Sequence, residues 1–310
     1  MKHTIETRGF GLSEEEVKAH ELLRKDRKAM DIMAVFGGRY GEANIKNDLE
    51  YVRNRKAIFG KENILGEEQS KKLAELFEML FAKLTELENW LGEDAFIMET
   101  SEYDDIYAGI DMVVEILRDG AFSHLGLAID VTFSVDKIDK KLKRIKDEIV
   151  NGELPTVRYF VSEQGDFKGE LSNVPRVVVA VDRKTLRELA SSWLDIDFLR
   201  KRLFQAQDQK TKDQLKTRLR EIQSKLANHP LQIEVLDQIE IQLKTFATYA
   251  SREAQIKKSE KFTNILSIVR GIRSGKKELE KTPQAKTWPR DSLANLENAL
   301  DRTFPSAIEN

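Results

Sequence analysis

Residues 99–134 read ETSEYDDIYAGIDMVVEILRDGAFSHLGLAIDVTFS and decide the fold. An Arg-Asp-Gly turn separates two β-rich runs, 108–117 and 125–133, which predicts a β-hairpin. Each predicted strand carries an aspartate, Asp111 and Asp130, where a sheet would otherwise hold apolar side chains. Because two carboxylates held close together repel each other, this pattern favours a compensating positive group, most simply a divalent cation.

The segments around this hairpin alternate between helical and strand periodicity. In order along the chain they predict helix 67–91, a short strand at 96–98, the hairpin, helix 136–150, and strands at 156–162 and 176–181. Residues 61–182 are therefore expected to form a mixed α/β domain.

Helical patterns fill the rest of the chain. Residues 1–60 are predicted to be a helical segment whose first helix ends near 36–38, at a Gly-Gly pair. Residues 183–275 predict two helices of about 40 residues each, broken by Asn-His-Pro and packed as a long antiparallel helical hairpin. Residues 276–310 are expected to be a weakly ordered tail with one short helix at 291–301.

The composition excludes several kinds of site. The chain has no cysteine, so disulfides, thiolate zinc sites and cysteine nucleophiles are ruled out, as is usual for a reducing compartment. The four histidines show no metal-ligand spacing. No apolar run approaches the roughly 20 residues that span a bilayer, and the polar start lacks a signal-peptide core. We therefore expect a cytoplasmic protein without a membrane partner.

Charge is unevenly distributed, although the formal net charge is only -2. Residues 67–119 carry fifteen acidic and four basic residues, whereas residues 200–225 carry nine basic and three acidic residues. This asymmetry predicts an acidic α/β part and a basic helical part. A basic helical surface attracts nucleic acid through its phosphates, but such helices are more often simply solvated.

The order of the elements around the two aspartates resembles the PD-(D/E)XK nuclease superfamily. The core shared by that family is a helix, three antiparallel strands, a second helix and a further strand. On this resemblance residues 109–111 (Gly-Ile-Asp) stand at the family's first aspartate, and residues 130–132 (Asp-Val-Thr) at its acid-x-lysine element. The strand with Arg158 would complete the core. The resemblance covers residues 67–182 at most.

The resemblance implies a restriction-endonuclease-like core, α+β with a mixed sheet, and a metal-dependent nuclease. Asp111 and Asp130 would bind Mg²⁺ or Mn²⁺ together with the carbonyl of Val131. The metal would polarise a phosphodiester and help to generate hydroxide from water. A further ligand would come from an upstream acid, with Glu102 and Asp105 as the first candidates. The other acids in reach are Glu99 upstream and Glu78 and Glu86 on the first helix.

One departure from the family pattern matters: Thr132 stands where the family has its lysine. Some members supply this lysine from the neighbouring helix, where Lys137, Lys140 and Lys141 are available. Lys137, in the first turn, is the preferred replacement, so the predicted catalytic set is Asp111, Asp130 and Lys137. The alternative is an inactive nuclease fold that serves as a scaffold or interaction protein, with residues 183–275 binding a protein partner or a second copy.

Each candidate also has a purely structural interpretation. Asp111 would cap the hairpin or pair with Arg118, and Asp130 would pair with Arg158 across the sheet, because buried polar groups are usually satisfied locally. Three further features have the same kind of reading. Glu115 is expected to be exposed, although a third ligand role is open; residues 103–105 are expected to form an acidic turn; and His124 is expected to be structural.

Overall fold

A four-stranded mixed sheet organises the protein. The structure, a computed structural model, describes residues 11–27, 30–61, 67–118, 120–131, 135–163 and 167–305. The strands are β1 (Ala95–Glu99), β2 (Met112–Arg118), β3 (Ala121–Val131), β4 (Val157–Val161), β5 (Lys168–Leu171) and β6 (Arg176–Val181). The main sheet has the order β1-β2-β3-β6, in which only the β3–β6 pair is parallel. Strands β4 and β5 form a separate antiparallel pair.

Thirteen helices are assigned within the described residues. They are α1 (Glu14–Asp26), α2 (Ile32–Tyr40), α3 (Glu42–Lys61), α4 (Glu67–Glu88), α5 (Glu102–Ala108), α6 (Val135–Asn151), α7 (Arg183–Gln205), α8 (Gln209–Ala227), α9 (Leu231–Arg252), α10 (Ile256–Gly275), α11 (Lys277–Glu280), α12 (Pro283–Lys286) and α13 (Asp291–Thr303). None of these helices is both long enough and apolar enough to cross a membrane.

The core forms where helix α4 packs on strand β3. Alternate residues of β3 point their apolar side chains to one face, as a period of two requires. Those residues are Leu125, Leu127, Ile129 and Val131, all buried. The apolar stripe of α4 repeats at helical spacing and joins the same core. This packing fixes α4 over the hairpin and so places a carboxylate of α4 beside the hairpin.

Helix α9 covers the free edge of β6. The side-chain oxygen of Gln242 accepts from the N–H of Val178 (2.8 Å), and its amide donates to the Val178 carbonyl (2.7 Å). Gln238 makes the same two bonds with Ala180, at 2.8 and 2.9 Å. The two glutamines satisfy backbone groups that an uncovered edge strand would leave for another chain.

The structure confirms the mixed α/β class and the hairpin, but the last strand of the sheet differs from the prediction. The parallel neighbour of β3 is β6, not the strand with Arg158, which lies in the β4–β5 pair. The physical reason is visible in residues 177–181, a continuous apolar run that suits a strand covered on both faces. All six residues of β6 are buried.

The C-terminal helices also differ from the expected pair of long helices. Breaks at 206–208 and 253–255, added to the predicted break at 228–230, divide residues 183–275 into four helices, α7 to α10. Helix α9 packs on β6, so this region is not a free-standing hairpin. The tail at 276–310 was expected to be weakly ordered, yet α13 packs on α6 and α9 and Phe304 is fully buried. The division into segments at 60, 182 and 275 stays a prediction.

The N-terminal helices follow the prediction with two changes. The predicted first helix is divided into α1, which ends at Asp26, and α2, which begins at Ile32. Helix α2 continues through the Gly-Gly pair at 37–38 and ends at Tyr40, with Gly41 as its C-cap. A single glycine pair weakens a helix without necessarily ending it. The capping box that Ser13 and Glu16 predict is present, since each side chain accepts from the other residue's backbone N–H.

Candidate functional site

A cavity of about 1030 Å³ opens beside the hairpin and is lined by α1, α4, α5 and β3, among other elements. Thirteen of its lining side chains are charged: seven are acidic and six are cationic. Three of the acids, Glu78, Asp105 and Asp111, influence one another directly. They come from three separate elements of the chain, so their meeting is a product of the fold.

Asp111 lies at the bend immediately before β2. Its backbone N–H donates to the carbonyl of Leu127 (2.9 Å), and its Oδ2 accepts from the N–H of Ile129 (2.5 Å). Strand β2 therefore begins one residue later than the aspartate, at Met112, and not at 108 as the sequence suggested. Both the main chain and the side chain of Asp111 are held against β3, which orients the carboxylate.

Asp105 approaches Asp111 from helix α5, where the sequence predicted only an acidic turn at 103–105. Ser101 caps this helix by accepting from the N–H of Asp104 (3.1 Å). The Asp105 carboxyl is hydrogen-bonded to Asp111. Burial and the negative charge of Asp111 raise the pKa of Asp105 to about 8, so Asp105 holds a proton at neutral pH. Although protein lies around the Asp105 carboxyl, the residue is solvent-exposed where it lines the cavity.

Glu78 brings a third acid to the cavity from helix α4. Its side chain is only 12% exposed, and its Oε2 lies 3.8 Å from Nη2 of Arg27. Burial and the charges of Asp111 and Asp105 raise the pKa of Glu78 well above its ordinary value, while Arg27 opposes the rise. In this site each acid therefore disfavours the ionised form of its neighbours.

Among the candidate lysines of α6, Lys141 and not the preferred Lys137 lines the cavity. Its amine donates to the carbonyl of Ile129, the residue whose N–H binds Asp111. It also lies close enough to Asp105 to lower the pKa of that carboxyl in part. Lys137 is exposed one turn earlier on α6. The two lysines share one face of α6, because residues four apart lie on the same side of a helix. Of the two, the later one lines the cavity.

Two arginines hold the turn that joins α5 to β2. Arg176 is buried and donates to the carbonyls of Ala108 (2.5 Å) and Gly109 (3.1 Å), and Arg144 donates to the carbonyl of Tyr107 (2.6 Å). Gly109 has φ +65°, and a Cβ there would lie 2.7 Å from Nη1 of Arg144. The turn thus needs glycine, and the arginines fix the spacing between the two aspartates that flank it.

Asp130 occupies β3 with its backbone paired to Ala180 of β6. Its side chain lies outside the described residues, as does all of Thr132, so the predicted meeting of the Asp130 carboxylate with Asp111 stays a prediction. The same holds for the metal-ligand role of the Val131 carbonyl.

The remaining candidate acids have cationic partners. Glu102 lines the cavity but pairs with Lys56 (2.7 Å), and its side chain is largely exposed. The others form pairs away from the aspartates: Glu99 with Arg27 at 2.6 Å and Glu86 with Lys83 at 3.1 Å. The structure therefore brings Asp105 to Asp111 and leaves Glu102 with a lysine from α3.

The structural pairings suggested for the two aspartates are not found as expected. Arg118 ends β2, about 20 Å along an extended strand from Asp111, because each residue adds about 3.3 Å. Arg158 lies in β4, where its Nε is 3.3 Å from Oδ2 of Asp48. Since β4 is not in the main sheet, it cannot meet Asp130 across that sheet.

Glu115 is buried, contrary to the expectation that it is exposed. Its carboxylate accepts from Ser162 Oγ (2.9 Å) and lies 3.0 Å from Nε2 of His124. This pairing gives His124 a structural role and leaves Glu115 fully engaged. No Ser–His contact is recorded here, so the cluster lacks the geometry of a nucleophilic triad.

Two signals were available for the parts of the site that sequence reasoning named but did not prefer. Glu78 is one of the few charged residues on the inner side of the α4 stripe, and Lys141 is four residues after Lys137 on the same helix face. Within the described part of the chain, no group of three or more His, Asp or Glu side chains has the arrangement of a ready metal site.

The chain was compared with protein-family models, curated proteins and solved structures, and none of the three comparisons finds a match.

Proposed function

We propose that this protein is a divalent-metal-dependent nuclease that hydrolyses nucleic-acid phosphodiester bonds. The observation that carries the proposal is the meeting of Glu78, Asp105 and Asp111 in an open cavity, next to the amine of Lys141. Such strongly perturbed acids in a cleft are typical of functional sites.

The order of elements supports a core of the PD-(D/E)XK type. Helix α4 precedes the antiparallel strands β1, β2 and β3, helix α6 follows, and β6 closes the sheet parallel to β3. This is the helix, three strands, helix and strand that the resemblance implies. The β4–β5 pair would then be an insertion between α6 and the last strand.

The acids fit a divalent cation in kind and in charge. Mg²⁺ and Mn²⁺ prefer oxygen ligands, and two to three carboxylates that repel each other gain from a shared cation. Asp111 and Asp105 would hold the ion, with Glu78 close by, and Asp130 is the predicted further ligand. The bound cation would supply the polarisation of the phosphodiester and a lowered pKa of water.

Lys141 suits the part that the family's strand lysine plays. The Ile129 carbonyl fixes its amine beside the acids. A fixed positive charge at this place would stabilise the negative charge that builds up on the phosphate in the transition state. Asp111 orients the site through the same peptide, because the Ile129 N–H binds its Oδ2.

Three further cations of the cavity suit the phosphates that flank the reacting one. Arg24, Lys71 and Lys168 are exposed and line the cavity, and no salt bridge is recorded for them in the described residues. Arg24 and Lys71 lie on α1 and α4, whereas Lys168 comes from β5. If a nucleic-acid strand crossed the cavity, its phosphates would contact cations from three different elements, and these contacts would position the strand.

A cleavage assay tests the proposal. Labelled single- and double-stranded DNA and RNA are incubated with Mg²⁺ or Mn²⁺ and with wild type, Asp111→Asn, Lys141→Met or the control Glu68→Gln. Asparagine keeps the acceptor for Ile129, so the first variant should fold. We expect at least a 100-fold loss of rate in Asp111→Asn and Lys141→Met, by the size of charge-stabilising effects in active sites, and no change in Glu68→Gln.

The runner-up function is an inactive nuclease fold that acts as a scaffold. It is favoured by the absence of a ready metal group among the described side chains. The scaffold function would be supported if pure wild type showed no cleavage. It would also be supported if cleavage did not depend on metal and was equal in wild type and Asp111→Asn.

A further inference from the structure

The end of α7 and most of α8 form a largely exposed arm, in which Leu219 and Ile222 are half-buried against the core. We define the arm as residues 200–225. No residue in it is buried, whereas α7 is anchored up to Leu199 and α8 from Leu226. Because no side chain of this 26-residue arm is fully buried, most of its surface is open to a binding partner.

The charges of the arm point to a polyanion. It carries nine basic and three acidic residues. Lys201 pairs with Asp197 (2.6 Å) and Lys225 with Glu188 (2.8 Å). Five other cations have no salt bridge among the described residues: Arg200, Lys210, Lys216, Arg218 and Arg220. Unpaired cations repel each other on the free protein and are neutralised by a row of phosphates.

An exposed aromatic ring lies among these cations. Phe204, near the tip, is 92% exposed, and Phe198 at the base of the arm is 55% exposed with Arg202 5.7 Å from its ring centre. Aromatic rings interleaved with cations are what sequence-tolerant nucleic-acid binding requires, because every base offers a face for stacking.

The outer face of α8 does not suit a second copy of the chain. It is lined by Lys210, Asp213, Gln214, Thr217, Arg218 and Glu221, all polar. A stable dimer interface needs an apolar centre, and this face has none. The arm as a whole has nine basic against three acidic residues, and this excess of positive charge favours phosphates over a second copy of the same surface.

We infer that the arm binds nucleic acid. Its cations contact phosphates and Phe204 stacks on an unpaired base or a base step. The inference rests on the proposed function only for the choice of nucleic acid as the polyanion. It adds a second contact, made by residues that do not line the cavity, that would hold a long substrate in place while the cavity acts on one bond.

Fluorescence anisotropy of a labelled 30-mer, as single strand and as duplex, tests the arm. All variants are made in the full-length Asp111→Asn protein, so that no turnover occurs. The combined variant Lys216→Glu, Arg218→Glu, Arg220→Glu should bind at least 10-fold more weakly at about 0.1 M salt. The slope of log K against log salt should shrink by about 2 to 3, the amount expected for three phosphate contacts.

A control variant separates local contacts from net charge. Lys257→Glu, Lys277→Glu, Lys286→Glu makes the same change of charge at exposed positions elsewhere. It should lower affinity less than 3-fold. Equal losses in the two triple variants would overturn the inference, because binding would then follow net charge alone.

Phe204→Ala tests the stacking contact. We expect a 5-fold or larger loss for the single strand with an unchanged salt slope. Vesicles with anionic lipids are the competing partner: binding to them that the arm variant loses, with nucleic-acid binding unchanged, would overturn the inference. These measurements need no cleavage, so the two proposals can fail separately. If the arm variant loses binding and the wild type shows no cleavage, nucleic-acid binding by the arm stands and the proposed nuclease function is refuted.

Discussion

Asp104 and Asp105 are neighbours on helix α5, yet they lie in opposite environments. Asp104 is fully buried and accepts from Ser101 Oγ (2.7 Å) and from the N–H groups of Arg158 (2.6 Å) and Tyr159 (3.1 Å). Asp105 instead meets Asp111, another acid. One aspartate is surrounded by donors and ties α5 to β4, whereas the next lacks them and faces a cavity.

The same contrast holds between larger regions. Several buried polar residues of the scaffold have well-matched partners: Gln238 and Gln242 bind β6, and Glu16 lies 2.9 Å from Arg183. Beside the cavity, Asp105 and Glu78 instead face other acids. Scaffold polar groups thus stabilise the fold, while the cavity acids store repulsion that a bound cation would relieve.

The largest expected effect is on the scaffold side of this comparison. Asp104→Ala leaves two backbone N–H groups and one hydroxyl without their acceptor. We expect the free energy of unfolding to fall by about 3 kcal/mol, measured from the urea midpoint at constant m-value. A loss below about 1 kcal/mol would mean that Asp104 is not the tie that the contacts indicate.

Gln242→Ala examines the covered edge of the sheet. It removes the acceptor and the donor that serve Val178, so we expect a loss of about 2 kcal/mol. Lys244→Ala on the exposed face of the same helix is the matched control and should change stability by less than about 0.5 kcal/mol. Similar losses in both variants would place the effect in helix α9 as a whole and not in the edge bonds.

Asp111→Asn should move stability in the other direction. The substitution removes a negative charge that faces Asp105 and Glu78, and the amide oxygen still accepts from Ile129. We expect a gain of about 1 kcal/mol without metal, as when a functional site is relieved of repulsion. A loss of stability of that size would show that the carboxylate is a structural acceptor, like Asp104.

The smallest effect concerns pH. The pKa of Asp105 rises from 3.8 to about 8 on folding. Between these values the folded protein keeps a proton that the unfolded chain has lost, so its stability falls as pH rises from about 4 to 8. Below pH 4 both states are protonated and the difference vanishes. Solvent access to Asp105 reduces the effect.

Asp105→Asn should flatten this part of the pH profile of unfolding. Its matched control is Glu102→Gln, on the same helix but paired with Lys56. Two profiles of the same steepness for Asp105→Asn and wild type would remove Asp105 from the group of coupled acids.

The hairpin and the place of Asp111 at its start could be predicted from the sequence, since alternation and a turn motif are local signals. Asp105 was within reach as one of two upstream candidates. The choice of Lys141 over Lys137 could not, because it depends on how α6 is rotated over β3. The pairing of β6 with β3 was also missed, although its continuous apolar run is the mark of a doubly covered strand.

The helical region shows a different kind of error. Apolar residues at helical spacing continue from 183 to 226, so the pattern alone indicates one long helix. The break comes from Asp208, which accepts from the N–H of Thr211 (2.8 Å) and starts a new helix. A capping aspartate inside a periodic run is easily taken for a surface residue.

Titration with Mn²⁺, followed by the electron paramagnetic resonance signal of the free ion, tests the central claim that Glu78, Asp105 and Asp111 together form a cation site. We predict saturable binding of Mn²⁺ to wild type and to Glu68→Gln, competed by Mg²⁺, and at least a 10-fold weaker affinity in Asp111→Asn and Glu78→Gln. Binding of the same strength in all four proteins, or none in wild type, would contradict it.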